Sequence, residues 1–295
     1  MRILVTGSSG LVGGAVAAHL HALGHEVVGL SRRVSDRLPP GVRQFQADIG
    51  SMHFMEAALA GLPPFEAVVH AAADLSFAQD AGSVSIVNCL GTQHMTALAR
   101  KWSSRLFLFI SSLPVIGTPR ELPITEEHPV APPTVYHATK VFGEHVVALA
   151  SKAGVLGASF RLTAPIGPAM PRNRLLTILI QRALANEEIV LHGTGARRQD
   201  YVDVGDISQA VERWLAKPAE GVFNVASGRA VSNIELANAC IRQLGSTSSV
   251  SLSGKLDPDD AVAWEVSIAK AGSAFGYRPA VSLDDSIRGI AAAMS

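Results

Sequence analysis

The sequence predicts an α/β fold, a doubly wound parallel sheet with a smaller C-terminal lobe, and three observations carry that prediction. Short apolar runs alternate with helical patterns through the first half of the chain, a glycine-rich turn joins the first run to the first helix, and the alternation loosens after Arg161. Alternating strands and helices build right-handed βαβ units, whose strands lie parallel beneath covering helices. The expected division is 1–165 for the sheet domain and 166–295 for the smaller lobe, partly interwoven with it.

Residues 3–6 form the first strand, and the turn Thr6-Gly7-Ser8-Ser9-Gly10-Leu11-Val12-Gly13 opens an apolar-periodic helix over 11–23 that closes at Gly24. Strands follow over 26–30 and 44–46, then a helix over 52–59, a strand over 67–70 and a long helix over 84–101. A strand over 106–110, a helix over 135–153 and a strand over 156–162 complete the regular part. Pro165, Pro168 and Pro171 then break the chain; beyond them 175–186, 207–217 and 234–244 read as helices and 189–192 as a short strand. The serine-rich segment 247–253 reads as an exposed connection or an edge strand.

Lys plus Arg and Asp plus Glu both total 25 in a chain of 295 residues, so bulk charge argues against a nucleic acid or an anionic membrane as partner. The expected partner is a small-molecule substrate held by a local site. With 48% hydrophobic residues there is ample material for a core. Cys89 and Cys240 lie far apart in helix-like apolar settings, which fits reduced thiols, and the scattered histidines offer no metal-ligand spacing, so no metal is expected. The chain begins directly with a strand and has no apolar run long enough to span a bilayer, and a cytoplasmic location is the expectation.

The order strand, glycine turn, helix is what a Rossmann-like dinucleotide site requires. Gly7 allows the tight turn, Gly10 lets backbone approach a pyrophosphate and Gly13 permits close helix-to-strand packing, while the helix N-terminus presents free N–H groups to the anion. Ser9, Leu11 and Val12 within this turn are counted with the cofactor-binding residues. The second strand ends in Ser31-Arg32-Arg33 instead of an acidic residue that would bind ribose hydroxyls. A guanidinium suits a 2′-phosphate and Ser31 adds a hydroxyl, which favours NADP, with NAD as the alternative. Tyr136 and Lys140, four apart on one helix face, supply a phenol and an ammonium expected to lower the phenol pKa from about 10.

With Gly7-x-x-Gly10-x-x-Gly13 and Tyr136-x-x-x-Lys140 in hand, the chain resembles the extended short-chain dehydrogenase/reductase family, in its branch of NAD(P)-dependent epimerases and dehydratases acting on nucleotide sugars. His70-Ala71-Ala72-Ala73, Asp48-Ile49, Asn88 with Gly91-Thr92, and Ser111-Ser112 before Gly117 carry the likeness through the first half. Arg161 to Gly167-Pro168, Arg197-x-Gln199-Asp200-Tyr201-Val202 with Asp206, and Gly221-Val222-Phe223-Asn224-Val225 carry it through the second. The resemblance implies that Tyr136 is the general acid or base, that Lys140 holds the nicotinamide ribose, and that Ser112 bonds the reacting oxygen. It implies cofactor contacts from Asp48, Ile49, Ala71, Ala72, Ala73, Asn88, Ser111, Ala164 and Pro165, besides Tyr136 and Lys140. Substrate contacts are expected from Ser76, Ser112, Thr163, Arg197 and Tyr201, with Arg197 the candidate for a substrate phosphate. A homodimer through the helices at 84–101 and 135–153 is a further implication.

Three departures bear on the reaction. Dehydratases of this kind carry an acidic pair after the catalytic serine, where Leu113 and Pro114 stand here, and neither can transfer a proton. Ile116 replaces a tyrosine and Ala164 an asparagine that contacts nucleotide sugars in several relatives. The leading expectation is an NADPH-dependent reductase interconverting a secondary alcohol and a ketone, on a keto sugar nucleotide or a related carbonyl compound. The alternatives are a nucleotide-sugar epimerase using bound NAD(P) and, from another class, a non-catalytic NADP-binding sensor.

Overall fold

Ile3, Leu4 and Val5 are wholly buried, and the first strand accordingly lies inside the sheet instead of at its edge. The computed structural model describes residues 1–76 and 82–294. In chain order it places β1 (Arg2–Thr6), α1 (Leu11–Ala22), β2 (Glu26–Ser31), β3 (Arg43–Gln46), α2 (Met52–Ala58) and β4 (Ala67–His70). Then α3 (Gly82–Ser85) runs through a π-helical turn (Ile86–Leu90) into α4 (Gly91–Lys101), followed by β5 (Leu106–Ser112), a 3-10 turn (Leu113–Ile116), α5 (Val135–Lys152) and β6 (Leu156–Leu162). The remainder holds β7 (Ala164–Ile166), α6 (Leu175–Leu184), β8 (Ile189–Leu191), β9 (Arg198–Asp203), α7 (Val204–Ala216) and β10 (Gly221–Val225). It ends with β11 (Ala230–Ser232), α8 (Asn233–Leu244), β12 (Val250–Leu252), α9 (Ala269–Phe275) and α10 (Leu283–Ala292).

Among the described residues, β10, β6, β5, β4, β1, β2 and β3 pair in that order as one parallel sheet. The chain goes one way from β1 to β2 and the other way to β4, which leaves a crevice beyond the carboxyl ends of these strands. One face packs against α1, α7 and α9 through Val16, Leu20, Trp214 and Phe275, and the other against α2, α4 and α5 through Met55, Met95 and Val147. Each such side chain contributes about 1.5–3 kcal/mol on burial. The smaller lobe has its own core, in which Leu179 of α6, Leu236 of α8 and Ile287 of α10 meet. By contrast α7, β10 and α9 return to the main sheet, with Phe223 pairing opposite Phe160.

The glycine turn is forced by crowding. Gly7 adopts φ 69°, and a Cβ there would come within 2.7 Å of the Ala72 backbone nitrogen; one at Gly13 would lie 2.3 Å from the Gly7 carbonyl oxygen. Helix α5 is capped by Thr134, whose hydroxyl accepts from the His137 backbone N–H at 3.3 Å, and α8 by a reciprocal Ser232–Glu235 box.

The long helix expected over 84–101 is not uniform, because the π-turn inserts where Asn88 reaches across to other elements. Strand β7 runs through Pro165, which reads as a breaker in the sequence; it lies at the edge of a three-stranded sheet, β11-β9-β7, where a missing N–H is tolerated. The segment 247–253 does contribute a strand, β12, parallel to β8.

Candidate functional site

A cleft of about 1630 Å³ opens along the carboxyl ends of the sheet strands and continues into the smaller lobe. At one end it is walled by Gly7, Ser9, Gly10, Leu11, Val12 and Gly13, which β1 delivers to the N-terminus of α1. Ala71, Ala72 and Ala73 cross opposite, and Ser31, Arg32 and Arg33 rim the far side with Ile49. Ser31 donates its hydroxyl to the Arg33 carbonyl at 2.5 Å, so it shapes the Arg32–Arg33 turn. Val34, Ser35, Asp36 and Arg37 extend this rim, which the sequence did not single out. The side-chain-free glycine turn, the N–H groups at the N-terminus of α1 and two guanidiniums together fit a dinucleotide's pyrophosphate and adenosine end.

The middle of the cleft brings Ser111 and Ser112 from the end of β5 against Tyr136 and Lys140 from α5. Ser112 and Tyr136 share a hydrogen bond between their hydroxyls. Burial pushes the Tyr136 phenol up to about 12 against that bond, in place of the lowered phenol expected from the sequence. Lys140 does not offset this: it is itself buried, its pKa pushed down to about 7 by desolvation, and the nearby Glu144 carboxylate only partly restores it. Its Nζ donates to the Ile110 carbonyl at 2.7 Å and lies 5.6 Å from the centre of the Tyr136 ring.

Behind these groups Arg161 of β6 grips Glu144 of α5 with two parallel bonds, Nε–Oε1 at 2.9 Å and Nη2–Oε2 at 2.8 Å, both side chains nearly closed to solvent. Ser111 donates to the same carboxylate at 2.6 Å. Ser112, by contrast, is positioned with Tyr136.

Asp48 and Asn88 are placed differently from the other expected cofactor residues. Asp48 turns back on itself, accepting from the Gly50 N–H at 2.8 Å, and borders a separate surface cleft shared with Arg32. Asn88 is buried and organises backbone: its Oδ1 accepts from the Asp74 N–H, and its Nδ2 donates to the Asp74 carbonyl and the Thr139 hydroxyl.

At the lobe end Thr163, Ala164, Pro165, Arg197 and Tyr201 line the cleft. Arg197 is paired with Asp259 at 3.1 Å. Thr163 donates to the buried Asp200 carboxylate at 2.9 Å. Ser76 is exposed, with its backbone N–H on Asp74, and its neighbour Leu75 reaches the wall. Of the polar stretch around it, Gln79 and Asp80 lie outside the described residues. Unforeseen wall residues are His137, Arg174, Gln199, Asn233, Asp259 and Trp264. His137 follows Tyr136 directly and Gln199 lies within the Arg197–Tyr201 motif, so both carried a positional signal; the others come from segments separated in sequence, with no motif to join them. Among the described residues no three His, Cys, Asp or Glu side chains cluster to hold a metal, and no helix is long and apolar enough to cross a membrane.

Comparison with known proteins agrees with this geometry. Residues 3–226 match the sequence profile of a family described as the NAD dependent epimerase/dehydratase family. The UDP-glucose 4-epimerase of Mycolicibacterium smegmatis is 32% identical over 262 residues, covering 83% of each chain. Among solved structures, the UDP-glucose 4-epimerase of Thermus thermophilus in complex with NAD is 26% identical and superposes with a TM-score of 0.87, over 99% of this chain and 98% of that one. The Thermotoga maritima UDP-glucose 4-epimerase with UDP-glucose has the same fold, with a TM-score of 0.91 at 23% identity, over 100% and 98% of the two chains.

Proposed function

The chain belongs to the NAD dependent epimerase/dehydratase family, and from that premise we propose that it is a nucleotide-sugar epimerase working with a retained dinucleotide. The observation that carries this reading is the meeting, in one cleft, of the glycine loop with Ser112, Tyr136 and Lys140. The relatives support this alternative ahead of the reductase that the sequence alone put first.

Tyr136, once its phenol has given its proton to solvent, takes a proton from the substrate hydroxyl and returns it after the sugar has turned. Ser112, bonded to that phenol, holds the reacting oxygen against it. The Lys140 ammonium stabilises the phenolate when formed and holds the cofactor's nicotinamide ribose, while the glycine loop and the N-terminus of α1 hold its pyrophosphate. When bound, the dinucleotide supplies a hydride acceptor that gives the hydride back. Dehydration is disfavoured, because Leu113 is buried and Pro114 offers no proton at the wall.

Arg32 favours a second reading at the cofactor, NADP in place of NAD, and with it an NADPH-dependent reductase. One assay separates the two. UDP- and dTDP-hexoses interconverted by the purified protein with no added cofactor support the epimerase; stoichiometric NADPH consumption on a keto sugar nucleotide supports the reductase. Failure on both defeats the nucleotide-sugar reading.

The same reading includes a cytoplasmic location and a homodimer. Exposed Leu90 before α4, and Phe142 and Leu149 on α5, give these adjoining helices an apolar outer face suited to a second copy. Sedimentation equilibrium tests it, and a monomer at micromolar concentration rejects it.

A further inference from the structure

His70, at the end of β4, is wholly buried and takes no part in the mechanism above. Its two ring nitrogens nevertheless lie in a continuous polar chain. On one side Nδ1 is 2.7 Å from the Thr6 hydroxyl, which also accepts from the Ala72 N–H at 3.1 Å. On the other, Nε2 is 3.2 Å from the Thr92 hydroxyl. Thr92 donates its single proton to the Asn88 carbonyl at 2.7 Å.

That assignment leaves one arrangement of protons. Thr92 has given its proton away, so its oxygen accepts from His70, and Nε2 carries the hydrogen. Nδ1 is then bare in the neutral ring, and Thr6 donates to it. The ring stays neutral because desolvation holds its pKa down to about 3, and a buried imidazolium would also face Lys140 with no carboxylate among the described residues in contact. Beyond Asn88 the chain continues: its Nδ2 donates to Thr139 at 3.0 Å, and Thr139 donates to the Tyr136 carbonyl at 2.7 Å. One end adjoins Gly7 of the glycine loop and the other is the first turn of the catalytic helix.

We propose that His70, held as its neutral Nε2–H tautomer, is a positioning residue that locks the glycine loop to the helix carrying Tyr136, so that dinucleotide binding and Tyr136 placement are energetically coupled. The proposal rests on the dinucleotide site of the preceding section but not on the identity of the sugar substrate. Asn88 joins the two halves, its main-chain carbonyl accepting from Thr92 and its side-chain amide donating to Asp74 and Thr139, so a break anywhere releases the two ends from a common register.

The test reads dinucleotide affinity, by calorimetry with NAD and with NADP, for Thr92→Val, His70→Phe and the double variant. Thr92 is buried and not part of the cleft wall, so a purely local view gives its variant no effect. Each single substitution is expected to weaken binding by roughly tenfold, and the double variant to bind no more weakly than His70→Phe alone, because both break one chain. Additive losses, or unchanged affinity in His70→Phe with only a lowered Tm, overturn the proposal. A second readout needs no variant: ¹⁵N resonances of His70 should show a bare Nδ1 and a protonated Nε2 throughout about pH 5 to 8, and mixed tautomers overturn it. Coupled dinucleotide binding without sugar turnover would defeat the epimerase reading and leave this proposal standing.

Discussion

Ser111 donates its hydroxyl to Glu144 at 2.6 Å, and this bond separates the roles of two adjacent serines. Ser111 is committed to a carboxylate that Arg161 already holds, whereas Ser112 shares a hydrogen bond with Tyr136.

The two serines should therefore fail differently. Ser112→Ala is expected to lower kcat by about a hundredfold with little change in the denaturation midpoint, as the loss of one oxyanion donor does. Ser111→Ala should act mainly on stability, by about 1–2 kcal/mol, since it removes one charged hydrogen bond. Steady-state kinetics beside urea titrations would decide; equal loss of kcat in both variants contradicts the assignment.

Glu144→Gln removes the partner of a buried guanidinium. Arg161 would keep its charge without compensation, at a cost of about 3–5 kcal/mol. Glu144→Gln combined with Arg161→Met should recover most of that loss, because the uncompensated guanidinium is gone and Ser111 can still donate to the Gln amide oxygen. Urea midpoints of the three variants test this, and a double variant less stable than Glu144→Gln rejects it.

Arg32→Ala should weaken NADPH binding by about 1.5–3 kcal/mol and leave NADH binding within about twofold, if the guanidinium meets a 2′-phosphate. Calorimetry on protein stripped of nucleotide gives both values. Equal affinity for the two cofactors in the unsubstituted protein would remove the NADP argument.

His70 also makes an acid-stability prediction. Unfolded, its imidazole takes a proton near pH 6.5; folded, it waits until about 3. Between those values the unfolded chain binds more protons, so stability is lost as pH falls through the window, on the order of 3–5 kcal/mol in all. Against a His70→Phe reference, the stability difference should shrink steadily below pH 6.5 in urea titrations; a pH-independent difference refutes it.

What could be read from the chain followed burial and special backbone. Strands such as Ala67–His70 are closed on both faces, so they appear as unbroken apolar runs, and Gly7 with Gly13 announce a crowding that no other residue survives. Strand β9 gave no such signal, since Arg198, Gln199 and Asp200 put polar groups on an element whose buried Asp200 is satisfied by Thr163, Ser227 and Arg229. Helix α10 does carry a signal, Ser282 capping Asp285 and the apolar Ile287, Ile290 and Ala291 at helical spacing. Within the cleft, Arg174, Asp259 and Trp264 converge from distant segments through tertiary packing, which periodicity cannot encode. The depressed Lys140 was hidden for the same reason: spacing places an ammonium near a phenol but does not report how much water either keeps.

Strand β10 pairs with β6 although β7, α6, β8, β9 and α7 intervene in the chain. During synthesis, then, the sheet that carries Lys140's anchoring carbonyl and the Arg161 clamp stands with an open flank until Val225 has emerged from the ribosome. A nascent chain halted after β6 presents that flank to any passing strand, and the flank closes only with residues belonging, in sequence, to the other lobe.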